Sequence, residues 1–287
     1  MGQKKVIITG DSTNDLSIEL LQKHNIKIKP LTITLGDKSY QDGVDIDPDF
    51  IYKYHSENGI LPKTSAVNIA DMVDFFQPLV EEGYAIVHFS LSSNMSSTYQ
   101  NTLLAAEEFE DVYVIDSKNL STGEGLLVLK AAEMAEAGVD AKTIYEEISA
   151  LVAKVDASFV IDNLEYLHKG GRCSALAALG ANILKLKPCI EVKGGSMGVG
   201  KKYRGKYIDT LKAYVQDRLT DYSDIDLSRV FVTHAGCDEE VVNTVVQEVK
   251  KTAPFAELLV TRAGCTISSH CGANTLGVLY IRKSDVE

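Results

Sequence analysis

Apolar, β-prone runs alternate with polar loops and helical stretches through the first half of the chain. Residues 5–9, 85–89 and 112–116 are such runs, and each leads into a polar loop and then into a segment with helical periodicity. This alternation is typical of a parallel sheet with helices on both faces. Ligands of such sheets bind at the carboxyl ends of the strands, where this sequence places hydroxyl-bearing loops.

The pattern changes after residue 157. A predicted hairpin of residues 189–192 and 197–203, around Gly194-Gly195, is mixed with helical segments at 207–219 and 239–251. Hairpins mixed with helices favour a mixed sheet. The sequence therefore predicts an α/β protein of two domains. Residues 1–156 form a three-layer α/β/α domain with a parallel sheet, and residues 157–287 form a two-layer α+β domain with a mixed sheet.

Three local signals refine this prediction. Pro30 interrupts an extended run at 26–35 and predicts a break or an edge position. Asp47-Pro48 predicts a helix start, because Asp caps a helix and Pro suits its first turn. Residues 175–186 are predicted to form a helix with almost no polar face, which is either core or a wall beside a thick ligand.

A serine-rich loop joins the apolar run 85–89 to a helical segment that begins at Thr98. Its five serines are Ser90, Ser92, Ser93, Ser96 and Ser97. A helix N-terminus exposes unpaired N–H groups and a partial positive charge, and hydroxyls add donors without adding charge. We interpret the loop as a binding site for a small anion, either a carboxylate or a phosphate. The alternative is N-capping by a single serine.

Charge and composition limit the classes of partner. The 287 residues carry a net charge of −11, which argues against nucleic acid and against adsorption to anionic membrane surfaces. No apolar run approaches the ~20 residues of a spanning helix, and a strand predicted from residue 5 leaves no room for a signal peptide. Five cysteines with scattered spacing fit a reducing compartment, so we expect a cytoplasmic protein.

A serine esterase is the alternative function. Gly10-Asp11-Ser12 resembles the block that carries the nucleophile in one esterase class. That chemistry also needs an Asp and a His late in the chain, usually as D-x-x-H, and none occurs after residue 157. The competing interpretation is that Asp11 and Ser12 order their own loop.

The sequence gives little support for a bound metal or nucleotide. The histidines and cysteines near the C-terminus match no zinc spacing, so we expect no metal. The glycine-rich stretch 194–200 has no strand-to-helix context and favours a hairpin turn over a nucleotide loop. His270 lies in a predicted small-residue loop between two apolar strands. Its imidazole either donates to a carboxylate or is bonded to backbone carbonyls.

Several segments together resemble the DegV family of bacterial lipid-binding proteins, over nearly the whole chain. They are D-S-T-N-D-L at 11–16, P-K-T-S at 62–65, S-L-S-S-N-M-S-S-T-Y-Q at 90–100, D-S-K-N-L-S-T-G-E-G at 116–125, L-E-Y-L-H-K-G-G-R at 164–172, and the His270 segment. The sequence departs from the family at Ser97, where Gly is usual. It also departs at 268–274, where the family is richer in Gly and Pro.

The resemblance implies that a long-chain fatty acid is buried between the two domains. It also implies a role as the fatty-acid-binding subunit of a fatty acid kinase, without catalytic activity of its own and without a cofactor. An ATP-binding kinase subunit would phosphorylate the carboxylate to acyl phosphate for phospholipid synthesis. A transient encounter with a membrane is compatible with this role.

The resemblance also implies which residues form the site, since each can be assigned by its position in the matching segments. Thr64, Ser93 and His270 would hold the carboxylate. The supporting loop residues would be Ser92, Asn94 and Ser65. Arg172 and Arg204 are candidates for ordering the mouth of the site or for docking the kinase, although the basic run 201–206 is equally typical of a solvated edge.

Overall fold

The computed structural model describes residues 4–179 and 186–286. Its strands, in chain order, are β1 (Val6–Asp11), β2 (Lys27–Lys29), β3 (Thr32–Leu35), β4 (Lys38–Gln41), β5 (Lys63–Ser65), β6 (Ala85–Ser90), β7 (Val112–Asp116), β8 (Val155–Ile161), β9 (Lys187–Lys193), β10 (Ser196–Tyr203), β11 (Ile225–Ala235), β12 (Glu257–Arg262) and β13 (Thr275–Arg282). Its α-helices are α1 (Ile18–Lys23), α2 (Pro48–Asn58), α3 (Ile69–Glu81), α4 (Thr98–Ala106), α5 (Thr122–Glu136), α6 (Ala141–Leu151), α7 (Glu165–Gly170), α8 (Tyr207–Leu219), α9 (Glu239–Thr252) and α10 (Cys265–Cys271).

The first sheet is parallel and has the strand order β2-β1-β6-β7. Side chains alternate between its faces: Ile7 and Ile86 pack with α3 and α4, while Ile8 and Val87 pack with α5 and α6. Alternation with period two requires apolar residues at every position when both faces are covered. The predicted α/β/α arrangement of the first half is therefore confirmed.

A small antiparallel sheet, with the order β4-β3-β5, was not predicted. Pro30 separates β2 from β3 at the predicted break, so the extended run enters two different sheets. Helix α2 begins at Pro48, and Asp47 accepts a hydrogen bond from the Phe50 N–H at 2.8 Å as its N-cap. Strands β3, β4 and β5 of the small sheet have only three or four residues each, which is too short to show a reliable alternation of apolar and polar residues.

The second sheet is mixed and has the order β10-β9-β8-β13-β11-β12. Strands β11 and β12 are parallel, and the other pairings are antiparallel, including the predicted β9–β10 hairpin. One face packs on α8 and α9 through residues such as Val232 and Val278. The predicted mixed sheet is confirmed. The predicted domain boundary at 156/157 stays a prediction, and β8 crosses it.

Helix α5 lies between the two sheets and joins their cores. Its residues Leu126, Leu127 and Leu129 belong to one buried cluster with Val87 of the first sheet and Phe159 of the second. Burial of apolar surface contributes roughly 25 cal/mol per Å², so this shared cluster couples the two halves energetically. The second sheet therefore has helices α8 and α9 on one face and α5 on the other.

Two predicted elements differ from the structure. His270 lies in helix α10, so the predicted loop is wrong: buried Cys265 and Cys271 face the core, and carboxylates from distant residues cap the helix start. In the predicted helix 175–186, residues Ser174–Leu179 form a 3-10 helix. Residues 180–185 of that prediction lie outside the described part of the chain. None of the described helices combines the length and apolar character needed to cross a bilayer.

Candidate functional site

Thr64 and His270 meet although 206 positions separate them in the chain. Strand β5 places Thr64 opposite Ile33 of β3, and α10 carries His270 in its last turn. Thr64 Oγ1 and His270 Nε2 are 2.8 Å apart, within hydrogen-bond distance. Two of the three residues that the resemblance indicated for the carboxylate are thus in direct contact.

A cavity of about 60 Å³ opens beside this pair, at the seam between the first sheet, the small sheet and the second half. Six of its lining residues bring hydroxyl, imidazole or guanidinium groups: Thr64, Ser65, Ser96, Arg172, His270 and Thr266, of which Thr266 already donates its hydroxyl proton to Asp42. The apolar lining consists of Leu31, Leu91, Met95, Leu120, Met197 and Ile267, with Ala66 completing it. Polar donors and apolar walls therefore share one site.

Ser93 lies apart from the cavity lining. Its Oγ accepts a hydrogen bond from Lys118 Nζ at 2.7 Å, and its N–H donates to Asp116. Lys118 also forms an ion pair with Asp116 at 2.9 Å, so the Ser93 hydroxyl belongs to a polar cluster on another side of the loop. The structure does not bring Ser93 together with Thr64 and His270.

Ser96 occupies the place in the cavity that was expected for Ser93. It stands two residues before Thr98, the first residue of α4, and its Oγ accepts from the Thr98 N–H at 3.2 Å. The predicted helix start is confirmed, and a ligand at Ser96 would face the positive end of the helix. No sequence signal distinguished Ser96, because Ser97 stands still closer to the helix start as its N-cap.

The supporting residues Ser92 and Asn94 face the β9–β10 hairpin. Buried Ser92 donates through Oγ to the Gly195 carbonyl at 2.6 Å, and Asn94 Nδ2 donates to the Gly194 carbonyl at 3.0 Å. The turn also needs Gly195, whose φ is +84° and whose missing Cβ leaves room for Ser92 Oγ. These contacts hold the serine-rich loop against the second half. Ser65, in contrast, lines the cavity.

Arg172 lines the cavity, whereas Arg204 does not. Arg172 is exposed, and its Nη1 donates to the Gly170 carbonyl at 2.7 Å. Arg204 is exposed just after β10. The two arginines therefore offer charge at different places, one at the cavity and one outside it.

His270 is neutral at physiological pH. Burial, and secondly the positive charge of Arg172, lower its pKa to about 4. Its Nδ1 is buried and has no hydrogen-bond partner among the described residues, and Gly170 packs so closely that a Cβ there would lie 2.6 Å from this nitrogen. A neutral imidazole with one N–H remains a hydrogen-bond donor, so His270 can bind an anion without a charge of its own.

A second cavity of about 30 Å³ lies deeper, between α10 and the second sheet. Leu120 and Ile267 line both cavities and separate them. Most of its walls are apolar, with Phe159, Ala235 and Leu279 among them. The cavity with polar donors thus has a mostly apolar neighbour, and the two share apolar walls.

The surroundings of Ser12 do not resemble those of an esterase nucleophile. Ser12 Oγ donates to Asp42 Oδ2 at 2.9 Å and accepts from the Leu31 N–H at 3.1 Å. A serine nucleophile needs a base within hydrogen-bond reach, usually a histidine, and the hydroxyl proton here goes to a carboxylate. Among the described residues no group of His, Cys, Asp and Glu side chains is arranged to hold a metal ion.

Comparison with known proteins gives the family. A sequence-family model described as uncharacterised protein, DegV family, matches residues 5–283 of this chain. The chain belongs to the DegV family. A DegV domain-containing protein of Clostridium acetobutylicum is 34% identical over 98% of this chain and 99% of its own length. One from Caldanaerobacter subterraneus subsp. tengcongensis is 30% identical over 98% of this chain and all of its own.

Solved structures of the DegV family share the fold. A fatty-acid-binding DegV family protein from Thermus thermophilus is 28% identical and has a TM-score of 0.88, with 97% of this chain and 99% of that chain covered. A stearic-acid-binding protein from Eubacterium ventriosum is 29% identical and has a TM-score of 0.83, with 96% and 98% covered. Relatives with this fold thus bind fatty acids.

Proposed function

We propose that this protein binds a long-chain fatty acid between its two halves and presents the carboxylate to a partner kinase. The observation that carries the proposal is the Thr64–His270 contact, at 2.8 Å, in the lining of a cavity with many apolar walls. The fatty-acid-binding relatives of the same fold support the ligand class.

The carboxylate would be held by Thr64, His270 and Ser96, with Ser65 and Arg172 beside them. A buried carboxylate without donors is costly, and hydroxyl and imidazole donors reduce that cost without adding a second charge to desolvate. Arg172 stands at the exposed side, where its charge favours an anion in the cavity. Ser96 replaces Ser93 in this assignment because Ser96 lines the cavity.

The tail would supply most of the affinity. Burial of a C16 chain at ~0.8 kcal/mol per methylene offers about 12 kcal/mol before ordering costs. Cavities of about 60 and 30 Å³ are smaller than the several hundred Å³ of a typical ligand pocket, so wall side chains must move apart on binding. Met95 and Met197 suit this requirement, because unbranched thioether side chains adapt their shape readily.

The partner would be the ATP-binding subunit of a fatty acid kinase, and the product an acyl phosphate for phospholipid synthesis. The protein itself would act as a carrier without catalytic activity, since the Ser12 hydroxyl donates to Asp42, which is already engaged in holding α10, and His270 serves as a donor. Arg204 would contact the kinase from outside the cavity. Five free thiols support a reducing, cytoplasmic location.

Denaturing mass spectrometry of the purified protein tests the ligand class. We expect long-chain fatty acid to co-purify at close to one molecule per chain, because an apolar tail of this size dissociates slowly from a closed site. A protein that carries no fatty acid, and that takes up none on titration with hexadecanoate, would contradict the proposal.

A further inference from the structure

Two buried carboxylates from the first half of the chain hold the start of helix α10. Asp15 accepts from the Gly264 N–H at 2.8 Å, and Asp42 accepts from the Cys265 N–H at 2.7 Å and the Thr266 N–H at 3.0 Å. The first N–H groups of a helix have no partners within the helix, and these carboxyl oxygens supply the missing acceptors.

Asp42 is almost saturated with donors. Besides the two N–H groups, it accepts from Thr266 Oγ1 at 2.6 Å and from Ser12 Oγ at 2.9 Å. Asp42 is only 4% exposed, so these hydrogen bonds are shielded from water. The Gly10-Asp11-Ser12 block that resembled an esterase motif thus contributes its serine to the support of α10.

Close approach at this point depends on Gly264. A Cβ on Gly264 would lie 3.2 Å from Asp42 Oδ1 and 3.3 Å from Asp15 Oδ1. Real Cβ contacts are rarely so short, so a side chain would push α10 away from both carboxylates. The absence of a side chain at 264 lets the helix start reach them.

The small sheet holds α10 at both ends. Asp42 directly follows β4, and Thr64 lies in β5, with β3 paired to both strands. Asp42 binds the first turn of the helix, and Thr64 contacts His270 in its last turn. Between residues 266 and 270 a helix rises only about 6 Å, so the first attachment fixes where His270 stands relative to Thr64.

We infer that Asp42, supported by Ser12 and Asp15, is a positioning residue that sets the placement of His270 against Thr64 and so shapes the anion site. This inference rests on the proposed function for its link to the fatty acid. The geometry of the helix attachment is independent of that ligand.

The test compares Asp42→Asn with the wild type by two readouts. An amide has one acceptor oxygen, and its NH₂ group would oppose the Cys265 or Thr266 N–H, so α10 should shift. We expect at least a tenfold loss of hexadecanoate affinity. In the ligand-free protein, NMR titration of the His270 ring, assigned by comparison with His270→Asn, should show a rise of one unit or more from a pKa of about 4.

Asp49→Asn is the matched control. Asp49 also links the two halves, through an exposed ion pair with Arg262 of β12, and in the described part of the chain this ion pair does not involve α10. It should change neither readout. If Asp42→Asn lowers thermal stability while the His270 titration stays as in the wild type, Asp42 is a stabilising residue only, and the inference is overturned.

Ser12→Ala keeps the inference testable if Asp42→Asn does not fold. It removes one donor from Asp42 and should move both readouts in the same direction, with about a threefold loss of affinity. Unchanged readouts in that variant would overturn the inference. If the wild type binds no fatty acid, the proposed function fails, while the titration of His270 in the ligand-free variants still decides the positioning role.

Discussion

At the residue scale, Ser93 and Ser96 show what a loop sequence leaves open. Both hydroxyls belong to the same serine-rich loop, but Ser93 contacts Lys118 and Ser96 lines the cavity. Strands and helices have a period that assigns side chains to faces, and loops have none. The sequence could therefore indicate a hydroxyl-rich loop that binds an anion, but the structure was required to show which of its serines lines the cavity.

The matched pair Ser96→Ala and Ser93→Ala tests this assignment. Loss of a hydrogen bond to a charged group costs about 1.5–3 kcal/mol, so Ser96→Ala should weaken hexadecanoate binding about tenfold or more. Ser93→Ala should leave the affinity within about twofold, because its hydroxyl is bonded to Lys118. Isothermal titration of both variants decides, and a loss confined to Ser93→Ala would reverse the assignment.

At the element scale, long segments with a clear period were predictable, and short ones held by distant contacts were not. Strand β6 is buried at all six positions and reads as a continuous apolar run, and helix α9 follows its amphipathic pattern. Helix α10 has seven residues, and the carboxylates at its start come from residues more than 200 positions away. No local pattern could show that support.

An ionic cluster joins two strands of the second sheet to helix α8. Asp156 of β8, only 4% exposed at its side chain, pairs with Arg218 of α8 and with Arg282 of β13, the latter at 2.6 Å. Removal of one partner from a buried ion pair leaves uncompensated charge and costs about 3–5 kcal/mol.

Asp156→Asn should therefore lower the free energy of unfolding in urea by about 3–5 kcal/mol. Asp111→Asn is the control, because its pair with Lys4 is partly exposed on both sides and should contribute at most about 1 kcal/mol. Equal losses of unfolding free energy in the two variants would show that the buried cluster stabilises the fold no more than the partly exposed pair does.

At the scale of the whole molecule, helix α5 joins the apolar cores of the two halves next to the site. Its buried face packs on both sheets, and the serine-rich loop contacts the β9–β10 hairpin across the same seam. The two kinds of sheet were predictable from the sequence. Their packing on the shared helix α5 was not, because α5 is buried at ten positions from Thr122 to Ala132 and its period does not assign its faces.

Charge reversal at Arg204 tests the partner role. Because Arg204 is exposed and does not line the cavity, Arg204→Glu should leave hexadecanoate affinity unchanged. It should lower kinase-coupled formation of acyl phosphate at least tenfold, while Lys212→Glu, an exposed reversal on α8, should not. Loss of fatty acid binding in Arg204→Glu would instead make this arginine a structural residue.

The central claim is that uncharged donors at the seam anchor the charged end of an apolar ligand. Binding of hexadecanoate and of hexadecanol to the wild type and to the double variant Thr64→Val/His270→Phe tests it most directly. The wild type should bind the acid about tenfold to a hundredfold more tightly than the alcohol. In the double variant this preference should fall at least tenfold while the alcohol binds as before, because only Ser96, Ser65 and Arg172 remain to bind the acid. Equal binding of acid and alcohol by the wild type, or an unchanged preference in the variant, would contradict the claim.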